Sequence, residues 1–353
     1  MTREDIIIDS IEEDLRLQKN AGLLAMSDLG NEWTEKMLTE PKRFMANDVE
    51  IRPDSIRNFR NMQIFVMDLP IGRQSVLNPL NILDGSRRGH AKSLKGFLKI
   101  IAEHNFEDIL KNHPCSPVGN PNIFHHQKYA FTFMWIKHIY SLGLFKRYIK
   151  PELNESFTAL DLGSSCGIFS GLLKREFKES RHILVDLPQQ LSLAHYYLGL
   201  EFAPSCRIAT YKDIAPLDRI DQDFIKRYDF ILLPWYFYTK LLKGAIDVFT
   251  NFMSLQEMGR KYFDYYLGQE PFLSAGFFFT MNRYQSAPTY DNGTTILDFP
   301  LGDFTKLHFA TMPMGTMRYR RKGIFFYTHF PYPSQHFEFI GKRRIQHVDM
   351  EAA

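Results

Sequence analysis

The stretch FTALDLGSSCGIFSGLLK, residues 157–174, decides the fold. Residues 157–162 are a mostly apolar run, interrupted by Thr158 and Asp161, which reads as a buried strand. Small residues then carry the chain from Gly163 to Gly167, and Ile168, Phe169, Leu172 and Leu173 recur at helical spacing. The same strand and helix rhythm continues downstream. HILVDL (182–187) and YDFILL (228–233) predict strands, with a helix over 188–200 after the first; 245–251 predicts a strand, 254–267 a helix and 272–280 a strand. Alternation of this length implies a parallel sheet with right-handed crossovers and helices on both faces, a doubly wound α/β domain. Two further runs, 304–310 and 323–330, have no helix between them, so the last strands are expected to pair antiparallel.

Upstream, residues 1–122 read as a helical accessory region, with Leu-rich charged segments at 9–24 and 91–110. SPVGNPN (116–122) concentrates Pro, Gly and Asn and marks the boundary to a domain over 123–353, which opens with an apolar helix over 129–145. The chain has 353 residues; 43 Lys and Arg against 40 Asp and Glu give a net charge of +3, which lacks the basic excess of a nucleic-acid-binding chain. Hydrophobic residues at 44% and charged residues at 24% fit a globular protein. With 31 Phe and 17 Tyr, some rings are expected to line a cavity. The longest apolar stretches, 131–136 and 272–281, fall short of the ~20 residues of a membrane span. Three scattered cysteines and an acidic N-terminal segment point to the cytoplasm.

The glycine turn is the main functional signal. Gly163 and Gly167 remove Cβ atoms where the backbone turns, and Ser164, Ser165 and the helix N-terminus offer polar groups to a ligand. Asp186 closes the next strand 19 residues after Gly167, where a carboxylate can accept both hydroxyls of a ribose; Leu187 and Pro188 follow it. A dinucleotide fingerprint needs glycines at i, i+2 and i+5, which is not the spacing here. The pattern Asp161, Gly163, Ser165, Gly167 resembles the D-x-G-x-G-x-G signature of class I S-adenosylmethionine-dependent methyltransferases, with Ser165 in place of the central glycine. That resemblance implies a Rossmann-like fold and S-adenosyl-L-methionine as cofactor. It further implies that Asp161 lies near the methionine amino group, residues 163–167 pack against the cofactor and Asp186 holds the ribose.

A second resemblance is to a family of sugar O-methyltransferases. It is carried by HILVDLPQQLSLAHYYL, by the Pro234–Trp235 pair, by residues 245–267, and by the FR at 59–60 and GNP at 119–121. It implies a sugar or glycoconjugate acceptor. Asn251, Ser254, Gln256 and Glu257 would stand at a strand's carboxyl end, where an acceptor must sit. Methyl transfer needs alignment and removal of a hydroxyl proton, so Glu257 is the first candidate base, although Ser254 and Glu257 also fit a helix-capping box. His126, with His125, is the second candidate because imidazole titrates near neutrality. Trp235, with Tyr236 and Tyr238, is a candidate stacking surface for the adenine or a sugar. His336 and Glu338 share a strand face, but a third ligand at metal-site spacing is missing, so no metal site is expected; some sugar methyltransferases use magnesium. The basic runs 317–322 and 341–344 read as solvated faces. The helical region is expected to cover the acceptor or form a homodimer contact. The competing readings are methylation of a phenol or amine and a non-catalytic scaffold that keeps the cofactor fold.

Overall fold

The computed structural model describes residues 1–24, 41–61, 85–286, 293–314, 319–322, 326–329 and 335–344. Its centre is β1 (Thr158–Leu162), whose five residues are all buried. Leu160 and Leu162 face one apolar layer and Ala159 the other, the mark of a strand covered on both sides. The chain continues through β2 (Arg181–Asp186), the two-residue β3 (Ile208–Ala209), β4 (Phe230–Pro234), β5 (Val248–Phe252), β6 (Phe277–Arg283), β7 (Phe304–Thr311) and β8 (His336–Arg343). These form one eight-stranded sheet in the order β3-β4-β2-β1-β5-β6-β8-β7. Strands β1 to β6 pair in parallel, and β8 runs antiparallel between β6 and β7. The chain builds outward from β1 on one side and then crosses to β5 on the other. That reversal puts a crevice at the carboxyl ends of β1 and β5, where open α/β sheets bind ligands.

The longer helices are α1 (Arg3–Asn20), α2 (Gly85–Glu103), α3 (Phe133–Tyr148), α4 (Ile168–Glu176), α5 (Pro188–Glu201) and α6 (Arg260–Leu267). The architecture is the expected doubly wound, Rossmann-like α/β sheet with N-terminal helices. α1 carries a capping box between Thr2 and Asp5, and its buried stripe of Ile7, Ile8, Ile11 and Leu15 joins the apolar layer that holds α3, α4 and α5. The N-terminal helices therefore share a core with one face of the sheet.

Local differences from the expected elements have identifiable causes. α6 begins at Arg260 rather than near Ser254, because the intervening residues form a turn held from β1, described below. Residues 270–273 are helical and β6 starts only at Phe277. Antiparallel pairing of the last strands holds, but Phe326–His329 pairs with Tyr319–Lys322 in a separate two-stranded sheet, and β8 takes the place in the main sheet. No helix among the described residues is long and apolar enough to cross a membrane.

Candidate active site

Three alternate residues after β1 have left-handed backbones: Gly163 (φ 70°), Ser165 (φ 53°) and Gly167 (φ 78°). Each glycine has a steric reason. A Cβ on Gly163 would overlap Ser254 Oγ, and one on Gly167 would lie 2.8 Å from Leu184 Cδ2 and 3.2 Å from Leu198 Cδ1. Gly163 therefore lets the turn after β5 close onto β1, and Gly167 lets α4 pack near β2 and α5. Ser165, which carries a Cβ, holds the same left-handed backbone as the two glycines, at a cost of about 1–2 kcal/mol.

The turn is tied to β2 through one carboxylate. Asp186 Oδ2 accepts from Ser165 N–H and Oδ1 from Leu187 N–H, both at 2.8 Å. A carboxylate has about four acceptor sites, so one lone pair on each oxygen remains for a further donor. Burial pushes Asp186 up to about 7 against the pull of these two bonds. Pro188 occupies the first turn of α5, as expected, and turns the chain sharply after the acid.

Above the strand ends lies an open cavity, with about 680 Å³ of empty space when the solvent at its opening is included. Leu162, Gly163 and Ser165 line it from the first turn, Val185, Asp186, Leu187 and Gln190 from β2 and α5, and Trp235 from the residue after β4. Ser254, Met258, Tyr262 and Tyr266 close the opposite wall. The Trp235 and Tyr262 rings meet edge to face at 5.6 Å and 89°. Gln190 is 2% exposed, and its Oε1 has no hydrogen-bond partner among the described residues. A buried amide oxygen lining a cavity without a donor fits a ligand that supplies one.

Of the residues singled out in the sequence, Gly163, Ser165, Asp186, Leu187 and Trp235 meet around this cavity. Asp161, Ser164, Gly167 and Asn251 are not among its lining residues. Asp161 is buried below it, with Oδ1 accepting from Thr250 Oγ1 at 3.0 Å and Oδ2 from Ser170 Oγ at 3.5 Å. Burial pushes Asp161 up to about 7. Ser164 Oγ is buried without a partner among the described residues. Asn251 is a strut in place of the expected ligand contact: Nδ2 donates to Leu162 O (2.9 Å) and Ser254 Oγ (2.5 Å), and Oδ1 accepts from Asn282 Nδ2 and Leu255 N. Its hydrogen-bonding capacity is thereby filled.

The capping box at Ser254 and Glu257 does not form. Ser254 Oγ donates to Leu162 O at 3.1 Å, and the cap position of α6 is Gly259 with no side-chain cap. Glu257 stands half-buried between Ser254 and Met258, beside the cavity. His126 lies elsewhere. It pairs with Tyr129 in a short hairpin and lines a separate cleft with Lys95, Lys99 and Glu107, while the exposed His125 pairs with Ala130. Tyr238 is buried, its hydroxyl donating to Tyr266 O, and Tyr236 donates to Gln18 of α1 at 2.7 Å.

Glu338 accepts from Tyr140 OH and His308 Nε2 through Oε1, at 2.9 and 2.7 Å. No group of three His, Cys, Asp or Glu side chains that could hold a metal ion occurs among the described residues. In the second basic run, Arg343 donates to Ala275 O and Phe272 O, a structural use; residues 317–318 of the first lie outside the described set.

Gln190, Met258, Tyr262 and Tyr266 escaped the sequence reading. Tyr262 and Tyr266 carried a readable signal, their i, i+4 spacing on an amphipathic helix, but that spacing equally describes a core face.

No family model matches the chain, and no curated protein matches its sequence. Among solved structures it is similar to several methyltransferases. Magnesium protoporphyrin IX methyltransferase from Synechocystis PCC 6803, solved with S-adenosylhomocysteine bound, matches at 9% identity over 60% of this chain and 84% of that one, with a TM-score of 0.37. Mitomycin 7-O-methyltransferase matches at 11% identity over 59% of this chain and 57% of its own length, TM-score 0.31. The fibrillarin–Nop5p complex matches at 14% identity, 54% and 75% coverage, TM-score 0.31. At these identities the likeness concerns the fold alone.

Proposed function

We propose that the protein is an S-adenosylmethionine-dependent O-methyltransferase acting on a sugar hydroxyl. The observation that carries the cofactor reading is Asp186, which lines the cavity and accepts from two backbone N–H groups, with acceptor capacity left on each oxygen. Such a carboxylate suits the paired hydroxyls of a ribose. Beside it, Gln190 Oε1 offers an acceptor to an amino group on a base, and Trp235, Tyr262 and Met258 offer apolar surface.

When bound, the cofactor supplies an electrophilic methyl group on a sulfonium. The protein has to align an acceptor oxygen in line with that group, exclude water and accept a proton. Glu257, on the turn between the cavity residues Ser254 and Met258, is the proposed base, with Ser254 and Asn251 fixing the turn against β1. His126, on its separate cleft, has no part in this reading. The sugar as acceptor rests on the resemblance of the D-L-P-x-x-L and N-x-x-S-x-x-E-M segments.

The test is thermal unfolding with S-adenosylhomocysteine and, separately, NAD. At a hundredfold excess over Kd a true ligand adds about 2.7 kcal/mol of stability. A shift with the homocysteine product that is lost in Asp186→Ala supports the reading; no shift with either ligand sinks it. Glu257→Ala is expected to keep that shift and to abolish release of S-adenosylhomocysteine from S-adenosylmethionine with mixed nucleotide sugars.

A further inference from the structure

Two segments that wall the cavity rest on α1 with their other side. Leu187 and Gln190 line the cavity, whereas Pro188 and Leu191 line a second, smaller cleft that α1 closes from the far side, with Gln18 among its residues there. The end of β4 divides in the same way, Trp235 lining the cavity and Pro234 the cleft. Whatever holds α1 in place therefore bears on the ligand-facing residues of both segments.

Gln18 makes the direct connection. The buried stripe of α1 runs through Ile7, Ile11 and Leu15 and then reaches Gln18, which is only 4% exposed. Packing alone asks for an apolar side chain at that spacing. Both ends of the amide are used instead: Nε2 donates to Asp14 O at 3.2 Å, and Oε1 accepts from Tyr236 OH at 2.7 Å. Tyr236 is the second residue of a 3-10 turn, Trp235–Lys240, whose first residue is the Trp235 of the cavity. The next two residues are anchored separately, Phe237 by stacking on Tyr211 at 5.7 Å and 12°, and Tyr238 by its bond to Tyr266 O at 3.1 Å. The Trp235 ring meets Tyr236 at 5.7 Å and Tyr262 at 5.6 Å, both edge to face. Its place between them depends on where the Tyr236 ring is held, and Gln18 holds that ring from 218 residues away in the chain.

We propose that Gln18, acting through Tyr236, is a positioning residue that sets Trp235 against the ligand, so that binding in the cavity and the docking of α1 are coupled. The identity of that ligand as S-adenosylmethionine rests on the proposed function; the placing of Trp235 by α1 does not. Coupling is reciprocal, so a ligand that settles Trp235 also steadies α1.

The test uses the full chain labelled with 5-fluorotryptophan, as parent, as Tyr236→Phe, and as a double variant that adds Gln18→Met. The Trp235 fluorine resonance is assigned by its loss in Trp235→Phe, and S-adenosylhomocysteine affinity is read by calorimetry. Without ligand, the Trp235 resonance is expected to shift or broaden in both variants. The denaturation midpoint of the double variant should stay at the parent's value, because removing both partners of a buried hydrogen bond for apolar groups of like shape is nearly neutral. With ligand, both variants are expected to bind at least about fivefold more weakly, the lower end of a typical coupling. Amide exchange over residues 3–20 should slow on binding in the parent and not in the double variant. An unmoved Trp235 resonance in both variants overturns the proposal, whatever happens to stability. So does parent-like affinity in both variants, or exchange in α1 that the ligand leaves unchanged in a parent that binds it. If the double variant does not fold, Tyr236→Phe, which deletes a single oxygen, decides on the same readings. A parent that does not bind S-adenosylhomocysteine ends the methyltransferase reading, and a shifted Trp235 resonance then leaves the positioning role of Gln18 standing.

Discussion

The turn after β1 and the junction between Phe59, Arg60 and Gly119 both set a left-handed glycine beside polar side chains. At the junction everything is satisfied internally. A Cβ on Gly119 would overlap the Phe59 ring, Arg60 N–H donates to Gly119 O, and the fully buried Arg60 guanidinium donates to Ser116 O (2.8 Å) and Val118 O (3.2 Å). At the turn, Asp186 keeps unused lone pairs and Gln190 Oε1 has no donor among the described residues. Glycine with polar neighbours is common to a structural clasp and a binding site. What separates them is whether the hydrogen bonds close within the protein.

The comparison can be broken by substitution. Arg60→Ala should have the largest effect on stability, on the order of 3–5 kcal/mol, because it removes a buried cation and strands carbonyls it now satisfies. Denaturant unfolding measures it, and whatever protein folds should still respond to S-adenosylhomocysteine. Gly163→Ala should cost about 1–3 kcal/mol through overlap with Ser254 and a strained backbone, and should also abolish that response.

Asp161→Asn should act in the opposite direction and with pH. Burial raises Asp161 from the ordinary carboxylate range to about 7, so its contribution is fully present below the unfolded value and is lost as pH rises through about 7. An uncharged isostere avoids that loss. Its melting temperature should exceed that of the parent above about pH 7 and converge with it in acid. Equal melting curves on the alkaline side would show that the carboxylate is not penalised. Ser165→Gly is the mildest change: relief of the left-handed backbone opposes the added entropy of the unfolded chain, and the net should stay within about 1 kcal/mol. A larger loss would mean that the serine side chain itself supports the turn.

Much of this contrast was legible from residues 157–187, where an apolar run, small residues at a turn and an acid at the next strand end leave few alternatives. Other features depend on contacts that spacing does not record. Ser254 and Glu257 have the intervals of a capping box, but the Leu162 carbonyl offers the Ser254 hydroxyl a partner across 92 residues. Asn251 has the composition of a ligand and the surroundings of a strut. Lys137, inside an apolar helix, gives no hint that its ammonium sits against Met253. Residues 323–330 read as a strand, but the run does not record that Phe326–His329 pairs with Tyr319–Lys322.

The docking of α1 also bears on how the protein is made. Tyr196 OH donates to Glu4, 192 residues earlier in the chain, at 2.5 Å. At 5–20 residues per second of synthesis, that separation corresponds to on the order of 10–40 s. Through that interval Ile7, Ile8, Ile11 and Leu15 have emerged from the ribosome while the helix that covers them is still being translated. A nascent chain in that position is a natural client for a holding chaperone.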